Sequence, residues 1–260
     1  MPNKIFQKEI EFLSKKILKL NDDIIDSQKE KTIFISLVAN QLNNPMTAIL
    51  GLLPHLKIQE NEKNRQLFEL IYENVLNLDF KIQNLLTVTK IESGEVEHLC
   101  TLVNIQEILD EVLESLKYTL KSKNINIILE DRVEKKIDIN SKNIYIILRN
   151  LISNGCLHGI ANSNIKVVIE LKDSILNISV TNKGKIKKFT HKEDIFTRFG
   201  NTIDQEHGLG IGLSVVKALL SNQEGTIDYF YKNNLTTFIA TIPIKPSELI
   251  FDSEDSFIEF

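Results

Sequence analysis

A run of glycines at residues 206–213 is the feature of this chain that most restricts its fold. The run reads Glu-His-Gly-Leu-Gly-Ile-Gly-Leu, so Gly208, Gly210 and Gly212 alternate with other side chains, mostly aliphatic. It leads into residues 214–220, whose apolar spacing predicts an amphipathic helix. Glycines let backbone N–H groups approach a ligand closely, and the N-terminus of the following helix attracts anions. The pattern is typical either of a plain structural turn or of a phosphate-binding loop.

A second stretch, residues 148–155, reads Leu-Arg-Asn-Leu-Ile-Ser-Asn-Gly. Asn150 and Asn154 are four residues apart, which places them on one face of a helix otherwise rich in Ile and Leu. Unpaired buried amides are costly, so both side chains need partners. Two interpretations are open: an internal amide pair or a cap, and an asparagine that holds Mg²⁺ beside a nucleotide.

Composition narrows the class of protein. The chain has 260 residues with 42% hydrophobic residues, which is typical of globular domains, and its net charge of −4 gives no indication of nucleic-acid binding. No apolar run approaches the roughly 20 residues of a membrane helix. The first residues do not form a signal peptide, so a cytoplasmic protein is expected. Cys100 and Cys156 have no metal-ligand spacing and are read as ordinary cysteines.

Residues 1–30 are expected to form an N-terminal coiled-coil helix. Within residues 3–30 the apolar residues follow alternating steps of three and four, which is a heptad seam. These positions are Ile10, Leu13, Ile17, Leu20 and Ile24. The pattern favours a dimeric coiled coil, and packing on the chain's own domain is the alternative.

Residues 31–98 predict a helical hairpin. The first helix continues through residues 31–57, with a kink at Pro45, and the polar residues 58–64 close the turn. The second helix carries an apolar stripe. The stripe comprises Leu67, Leu70, Ile71, Val75, Leu78, Ile82, Leu85 and Leu86. Two such hairpins with uncovered apolar faces form an antiparallel four-helix bundle, so a homodimer is expected.

Beyond Thr101 the pattern changes to mixed helix and strand. We expect a helix at residues 105–120, a strand at 125–129, and a helix capped by Asn140 and Ser141 that carries Asn150. Two hairpins should follow. Their strands are predicted at residues 166–171, 175–181, 225–230 and 236–243, the last two at the sheet edge.

These motifs resemble a known family. Residues 148–155 resemble the N box, and the glycine run resembles the G2 box, of the ATP-binding domain shared by sensor histidine kinases, gyrase, Hsp90 and MutL. The preceding helices resemble the histidine-kinase branch. The resemblance implies an α+β protein, with the coiled coil and hairpin followed by a GHKL α/β sandwich at residues 101–245 and an acidic tail at 246–260.

The resemblance also implies ATP and Mg²⁺ as ligands. Asn154 would hold Mg²⁺, Asn150 would stand beside it in the nucleotide site, and the amides of Gly208, Gly210 and Gly212 would face the phosphates.

A third motif departs from the family pattern. Residues 181–186, Thr-Asn-Lys-Gly-Lys-Ile, stand where the family has Asp-x-Gly-x-Gly, so Asn182 replaces the adenine-binding Asp and only Gly184 is kept. An amide oxygen still accepts the adenine hydrogen bond, with a loss of charge assistance of roughly 1–2 kcal/mol. Residues 187–206 resemble the ATP lid, where Arg198 either contacts phosphate or is solvated.

The phosphoacceptor motif departs further. The family has His, an acidic residue, Leu, a basic or polar residue, Thr or Asn, and Pro; residues 40–45 here are Asn-Gln-Leu-Asn-Asn-Pro. Asn40 replaces the His and Gln41 replaces the proton acceptor, and neither amide can act as nucleophile or base. His55 is read as an ordinary residue near a helix end. Asn44 stands where the family orients a water for phosphatase chemistry, with Gln41 able to assist, and plain polar surface is the alternative.

Three functions remain open. The first is a degenerate histidine kinase of two-component signalling that binds ATP weakly and interacts with a response-regulator receiver domain or a partner histidine kinase, with a phosphatase or sequestering role. The second is an active kinase that phosphorylates a His on a partner chain. The third is a serine kinase of the anti-sigma type, whose catalytic Glu is replaced here by Asn150.

Overall fold

The structure is a computed structural model that describes residues 15, 16, 19, 42, 45–49, 51–53, 62–94, 100–133, 135–184, 195–196 and 211–244. Residues 15, 16 and 19 are helical, as are 42, 45–49 and 51–52, in agreement with the helices expected there. The heptad seam and the acidic tail lie outside the described residues. The same holds for the phosphoacceptor positions Asn40 and Gln41 and for Asn44 and His55.

Helix α1, Glu62–Ser93, is the second helix of the predicted hairpin. It ends at Gly94, whose φ of 74° a glycine adopts without strain and whose N–H donates to Ile91 O at 3.2 Å. Ile71, Phe80 and Val88 are buried, whereas other apolar residues of α1 stay exposed. Helix α1 therefore has one apolar face covered within the chain and one that the chain leaves open.

An α/β unit follows α1. Its elements in chain order are β1 Thr101–Val103, α2 Ile105–Ser115, α3 Lys117–Lys123, β2 Asn126–Asp131, β3 Ile137–Ile139, α4 Ser141–His158, β4 Asn164–Lys172, β5 Ile175–Lys183, α5 Ile211–Asn222, β6 Thr226–Lys232 and β7 Leu235–Pro243. The main sheet has the order β2-β4-β5-β7-β6. Strands β2 and β4 are parallel, and the other neighbouring pairs are antiparallel.

One face of the main sheet is covered by helices. Burial alternates along β5, because successive side chains of a strand point to opposite faces. Helix α4 packs on β4 and β5, and α5 packs on β6 and β7. Leu148, Leu151 and Ile152 of α4 are fully buried. The hydrophobic core therefore lies between this helical layer and the sheet, and α4 runs through its centre.

Local sequence signals explain the start of two helices. The Asn104 side chain accepts a hydrogen bond from Gln106 N at 3.0 Å and caps α2. The Asn140 side chain accepts one from Asn143 N at 3.0 Å and caps α4, which confirms the predicted cap. The β4–β5 hairpin is also where the alternation predicted it; each strand is two residues longer at the open end, and β4 is one residue longer at the turn.

Two expectations needed correction, and one pair of strands was missed. The helix predicted at residues 105–120 is broken at Leu116, where α2 ends and α3 begins, because Leu116 has a φ of −103° and ψ of 1° that lie outside the α region. The strand expected at 125–129 is Asn126–Asp131. The short antiparallel pair of β1 and β3 was not predicted. The edge hairpin was predicted correctly, because β6 and β7 pair at one end of the main sheet, where β6 is the outer strand.

Candidate functional site

The end of α4 and the end of β5 meet at two glycines. The space beside Gly184 is filled by the carbonyl oxygen of His158, so a Cβ at residue 184 would overlap it. Thr236 Oγ1 donates to Gly184 O at 3.1 Å, which holds this turn against β7. His158, the last residue of α4, and Gly184, the first residue after β5, are thus closer together than a side chain at residue 184 would permit.

Asn182 is buried beside this junction. It lies in β5 between Ile165 of β4 and Thr236 of β7, and only 4% of it is exposed. Its Nδ2 lies 3.1 Å from the position that a Cβ on Gly184 would take and 3.7 Å from that on Gly159. The amide that replaces the family's adenine-binding Asp is therefore held by the strand, next to the two glycine turns.

The first turn of α5 abuts the middle of α4. Asn150 Oδ1 lies 2.6 Å from the position that a Cβ on Gly212 would take, so a side chain at residue 212 is excluded. Residues 150, 182–184 and 212 are far apart in sequence and all lie along α4. Of the predicted phosphate-loop residues, only Gly212 belongs to the described part of the chain; Gly208, Gly210 and Arg198 lie outside it.

Asn154 lies one turn after Asn150 on α4 and is half-buried. No hydrogen bond of its side chain to another described residue is found. Gly155, the next residue, is packed against Ile165 of β4, so α4 is held close to the sheet at this point. Among the described residues, the Asn154 side chain therefore has no hydrogen-bond partner that would compete with a ligand.

Asn150 has a different environment. Its Nδ2 donates to Asn84 Oδ1 at 2.9 Å and to Ile146 O at 2.9 Å, and its Oδ1 accepts from Asn84 Nδ2 at 3.1 Å. Both asparagines are 6% exposed. The amide pair that the sequence left open does exist, but Asn150 forms it with α1, 66 residues earlier, and not with Asn154.

Arg149 lies next to this pair and is 2% exposed. Its guanidinium stands 4.0 Å from the centroid of the Phe80 ring, and it donates to Leu76 O at 3.1 Å and to Tyr145 OH at 3.2 Å. Its Nε has no hydrogen-bond partner. Burial lowers the pKa of Arg149, which remains charged at neutral pH.

The chemistry of the site is that of neutral amides. Within the described residues there is no group of three or more His, Cys, Asp or Glu side chains placed to hold a metal ion. An amide oxygen is an acceptable oxygen ligand for Mg²⁺, which usually takes the remainder of its ligands from phosphates and water. The amides of Asn154 and Asn182 thus fit a nucleotide whose phosphates supply the negative charge that Mg²⁺ requires.

The lid motif is described at two residues. Ile195 and Phe196 form a short 3₁₀ segment, and Phe196 is 6% exposed. The Phe196 ring packs edge-on against Tyr229 at 5.9 Å and Phe238 at 6.4 Å. Phe196 thus anchors its segment on β6 and β7.

Sequence reasoning missed the residues of α1 that contact the α/β unit of residues 101–243, which is called the ATP-binding unit below after the domain it resembles. Asn84, Phe80 and Leu76 all meet α4, and none was predicted to do so. One signal was available: Phe80, Asn84 and Val88 are spaced by four, and all three are buried, so the asparagine breaks an apolar stripe.

Comparison with known proteins identifies two domains in the chain. The His Kinase A (phospho-acceptor) domain matches residues 30–94. The histidine kinase-, DNA gyrase B-, and HSP90-like ATPase domain matches residues 139–246. The chain is 23% identical over 218 residues to the heme sensor protein HssS of Staphylococcus saprophyticus, covering 83% of this chain and 47% of HssS. It spans about half or less of the length of the first curated relatives it matches.

Solved structures share the fold. The chain resembles the Acinetobacter baumannii histidine kinase AdeS with a TM-score of 0.57 and 20% identity, over 78% of this chain and 97% of that one. It also resembles the histidine kinase ThkA, solved in complex with the response regulator protein TrrA, with a TM-score of 0.54 and 23% identity over 85% of this chain and 65% of that one.

A phospho-acceptor-type helical hairpin followed by a GHKL α/β sandwich defines a class of signalling proteins. The chain belongs to the histidine-kinase family of two-component signal transduction. The predicted fold class, a helical region followed by a GHKL α/β sandwich, is thereby confirmed, whereas the N-terminal coiled coil stays a prediction. None of the helices in the described part is both long and apolar enough to cross a membrane.

Proposed function

We propose that this protein is a histidine-kinase-family member that binds ATP–Mg²⁺ weakly, does not phosphorylate itself, and acts on a response regulator. One observation carries the proposal: residues 40 and 41 are Asn and Gln, in a domain whose family places a phosphoacceptor His and an acidic residue there. The amide nitrogen of Asn40 is not nucleophilic, and Gln41 cannot accept a proton near pH 7.

Each nucleotide-site residue has a role in this proposal. Asn154 supplies an oxygen to Mg²⁺, and the buried Asn182 accepts a hydrogen bond from the adenine amino group. Gly184 keeps the β5 turn close to α4, and Gly208, Gly210 and Gly212 let backbone N–H groups reach the phosphates. Arg198 contacts the phosphates from the lid. Asn150 joins the nucleotide site only when its amide is released from Asn84. Mg²⁺ neutralises phosphate charge when it is bound.

Action on a response regulator rests on the hairpin. The similar kinase ThkA was solved with a response regulator, and this chain resembles it over 85% of its own length. Asn44 stands where the family orients the water that attacks a phosphoaspartate, and Gln41 is three residues earlier on the same helix face. Both side chains would orient that water by hydrogen bonds, and neither would accept the phosphoryl group. The phosphoaspartate would then be hydrolysed by a protein that cannot phosphorylate itself.

The hairpin also supports a homodimer. Val75, Ile82 and Leu86 of α1 are exposed large apolar residues on the stripe that the sequence predicted to meet a partner. Covering this stripe with a second copy would complete a four-helix bundle.

The test has three measurements. Calorimetry with ATP–Mg²⁺ should give a dissociation constant in the high micromolar to millimolar range. Incubation with radiolabelled ATP should leave the chain without acid-labile label, and label lost in a His55→Ala variant would contradict this. A phosphorylated cognate regulator should lose phosphate faster with the wild type than with Asn44→Ala; equal acceleration would remove the catalytic role and leave binding alone.

A kinase that acts on a partner chain is the second candidate. It is favoured by the ATPase domain, which matches its family over residues 139–246 and keeps Asn154. Label transferred from ATP to the His of a partner whose own ATPase domain is inactivated would establish it. The serine-kinase alternative has less support, because Asn150 stands at the place of the required base and its amide is paired with Asn84.

A further inference from the structure

The reciprocal bond between Asn84 and Asn150 is the one buried side-chain amide pair that joins α1 to the ATP-binding unit in the described part of the chain. Both Nδ2 hydrogens of Asn150 are used, one by Asn84 and one by Ile146 O, and its Oδ1 accepts from Asn84. No N–H donor remains on this side chain for a ligand, and its Oδ1, which keeps one lone pair, lies beside Gly212 of α5. The Asn150 amide therefore stays hydrogen-bonded to Asn84 as long as α1 keeps this position.

The pair also fixes the register of α1. One turn before and one turn after Asn84 are Phe80 and Val88, which are both apolar and buried. If α1 slid by one turn along α4, an apolar side chain would stand opposite Asn150 and leave its amide unpaired in a buried site, which is strongly unfavourable. A single buried asparagine is known to set register between helices in this way.

The rest of this contact is partly apolar and partly polar: α1 also packs on α5, and Val88 of α1 belongs to the hydrophobic core. Arg149 is buried at its centre with an unsatisfied Nε, and its described contacts there are the Phe80 ring, Leu76 O and Tyr145 OH. Further along α1, Thr119 Oγ1 donates to Glu73 at 2.7 Å, and Lys121 lies 3.3 Å from Glu69 at the surface. The carboxylate of Asp79 on α1 partly offsets the burial of Arg149, but burial remains the larger effect, so opening, which returns the guanidinium to water, relieves a cost of closure. Contacts of this mixed kind are typical of domains that separate and return.

We propose that Asn84 and Asn150 form a polar latch, which holds the ATP-binding unit on α1 in one register and keeps Asn150 out of the nucleotide site while it is closed. Asn84 is then a positioning residue that lies outside the ATP-binding unit. The second half of the proposal rests on the proposed function; the first half does not, because docking is a property of the nucleotide-free protein.

The latch predicts how matched leucine variants behave. Asn84→Leu leaves the Asn150 amide without its partner and should open the contact. The double variant Asn84→Leu with Asn150→Leu removes both amides at similar volume and should close it again, because two apolar side chains leave no orphan group. Asn74→Leu is the control, because the Asn74 side chain donates to Leu70 O at 2.8 Å within α1.

The measurement is the distance between spin labels at Thr89→Cys on α1 and Lys232→Cys on the β6–β7 hairpin, both exposed positions. Cys100 is exposed and is replaced by Ser in this background, whereas Cys156 is fully buried and its pKa is raised to about 11, so it stays unlabelled. Labelled chains are mixed with excess unlabelled protein, so that only distances within one chain are observed.

Wild type, Asn74→Leu and the double variant should give the same short distance. Asn84→Leu should raise the ratio of open to closed molecules about tenfold, or ~1.4 kcal/mol. An unchanged distance distribution in Asn84→Leu would overturn the latch. Opening that the double variant fails to reverse would also overturn it, since lost packing would then be the cause. Circular dichroism checks that each variant is folded.

A second readout addresses the nucleotide. If closure withholds Asn150, ATP–Mg²⁺ should bind several-fold more tightly to Asn84→Leu than to Asn74→Leu, and it should shift the wild-type distances toward the open state, since linkage is reciprocal. Equal affinities would overturn the withholding of Asn150. If neither the wild type nor any variant binds ATP, the proposed function is wrong, and so is the proposal that the closed contact keeps Asn150 from the nucleotide. The distances between the spin labels still decide whether the latch exists.

Discussion

Cys156 shows how burial alone sets the chemistry of a residue. Its side chain is fully buried in α4, and desolvation raises the pKa of the thiol from 9.0 to about 11, with a small opposing effect from Lys123. A raised pKa in the folded state means that the folded chain holds its proton when the unfolded chain has lost it. The resulting stability is complete below pH 9 and is lost as pH rises toward 11.

We therefore expect the free energy of unfolding to fall more steeply between pH 9 and 11 in the wild type than in Cys156→Ala. The difference between the two proteins should reach the order of 2–3 kcal/mol at pH 11. Urea unfolding at a series of pH values measures it. Parallel curves for both proteins would show that the thiol ionises equally in both states.

Gly184 is a second residue whose role follows from its surroundings. Since the carbonyl oxygen of His158 fills the Cβ position, Gly184→Ala forces the ends of α4 and β5 apart. The expected loss of stability is about 1–3 kcal/mol. Gly51→Ala is the matched control, because its Cβ would meet no atom within 4 Å. Chemical unfolding of both variants should show a loss for Gly184→Ala alone.

At the scale of elements, helix α1 carries apolar residues on two faces. Ile71, Phe80, Asn84 and Val88 face the ATP-binding unit and are buried, whereas Leu86 is 54% exposed. A helix that is apolar on two faces has more apolar surface than its own chain covers, and such a surface indicates a partner. The same helix would thus connect the dimer to the nucleotide domain.

Leu86→Asp should weaken the homodimer without disturbing the contact with α4, because a charge is costly in the dimer core. We expect the monomer–dimer equilibrium to shift toward monomer at least tenfold, measured by light scattering over a concentration series. Leu102→Asp is the control, since Leu102 is 65% exposed in β1 of the ATP-binding unit. An equal shift in both variants would place the dimer contact elsewhere.

At the scale of the whole molecule, binding of a nucleotide should appear as stability. A ligand that binds only the folded state at ten times its dissociation constant adds ~1.4 kcal/mol, which raises Tm by about 2–4 °C in a protein of this size. Asn154→Ala should abolish the shift with ATP–Mg²⁺, and Asn74→Ala should keep it. A wild type whose Tm does not respond to saturating ATP–Mg²⁺ would identify the domain as a scaffold.

The sequence by itself determined most of the fold, because the signals are local. The cap at Asn140, the alternation of β4 and β5, and the three-and-four spacing of α1 each depend on neighbours within a few residues. It also located the amides and glycines of the candidate site. The break at Leu116 and the β1–β3 pair were missed, since α2 has no proline at the break and three-residue strands carry almost no periodicity.

Only the tertiary structure decided which partner the Asn150 amide has. The sequence pattern places Asn150 and Asn154 on one helix face, and the resemblance assigns Mg²⁺ to Asn154, but neither shows what Asn150 bonds to. Packing brings Asn84 to Asn150 from 66 residues away and leaves Asn154 half-buried. A buried amide bonds to whichever partner the fold places within about 3 Å, and a partner from another domain is invisible to any local pattern.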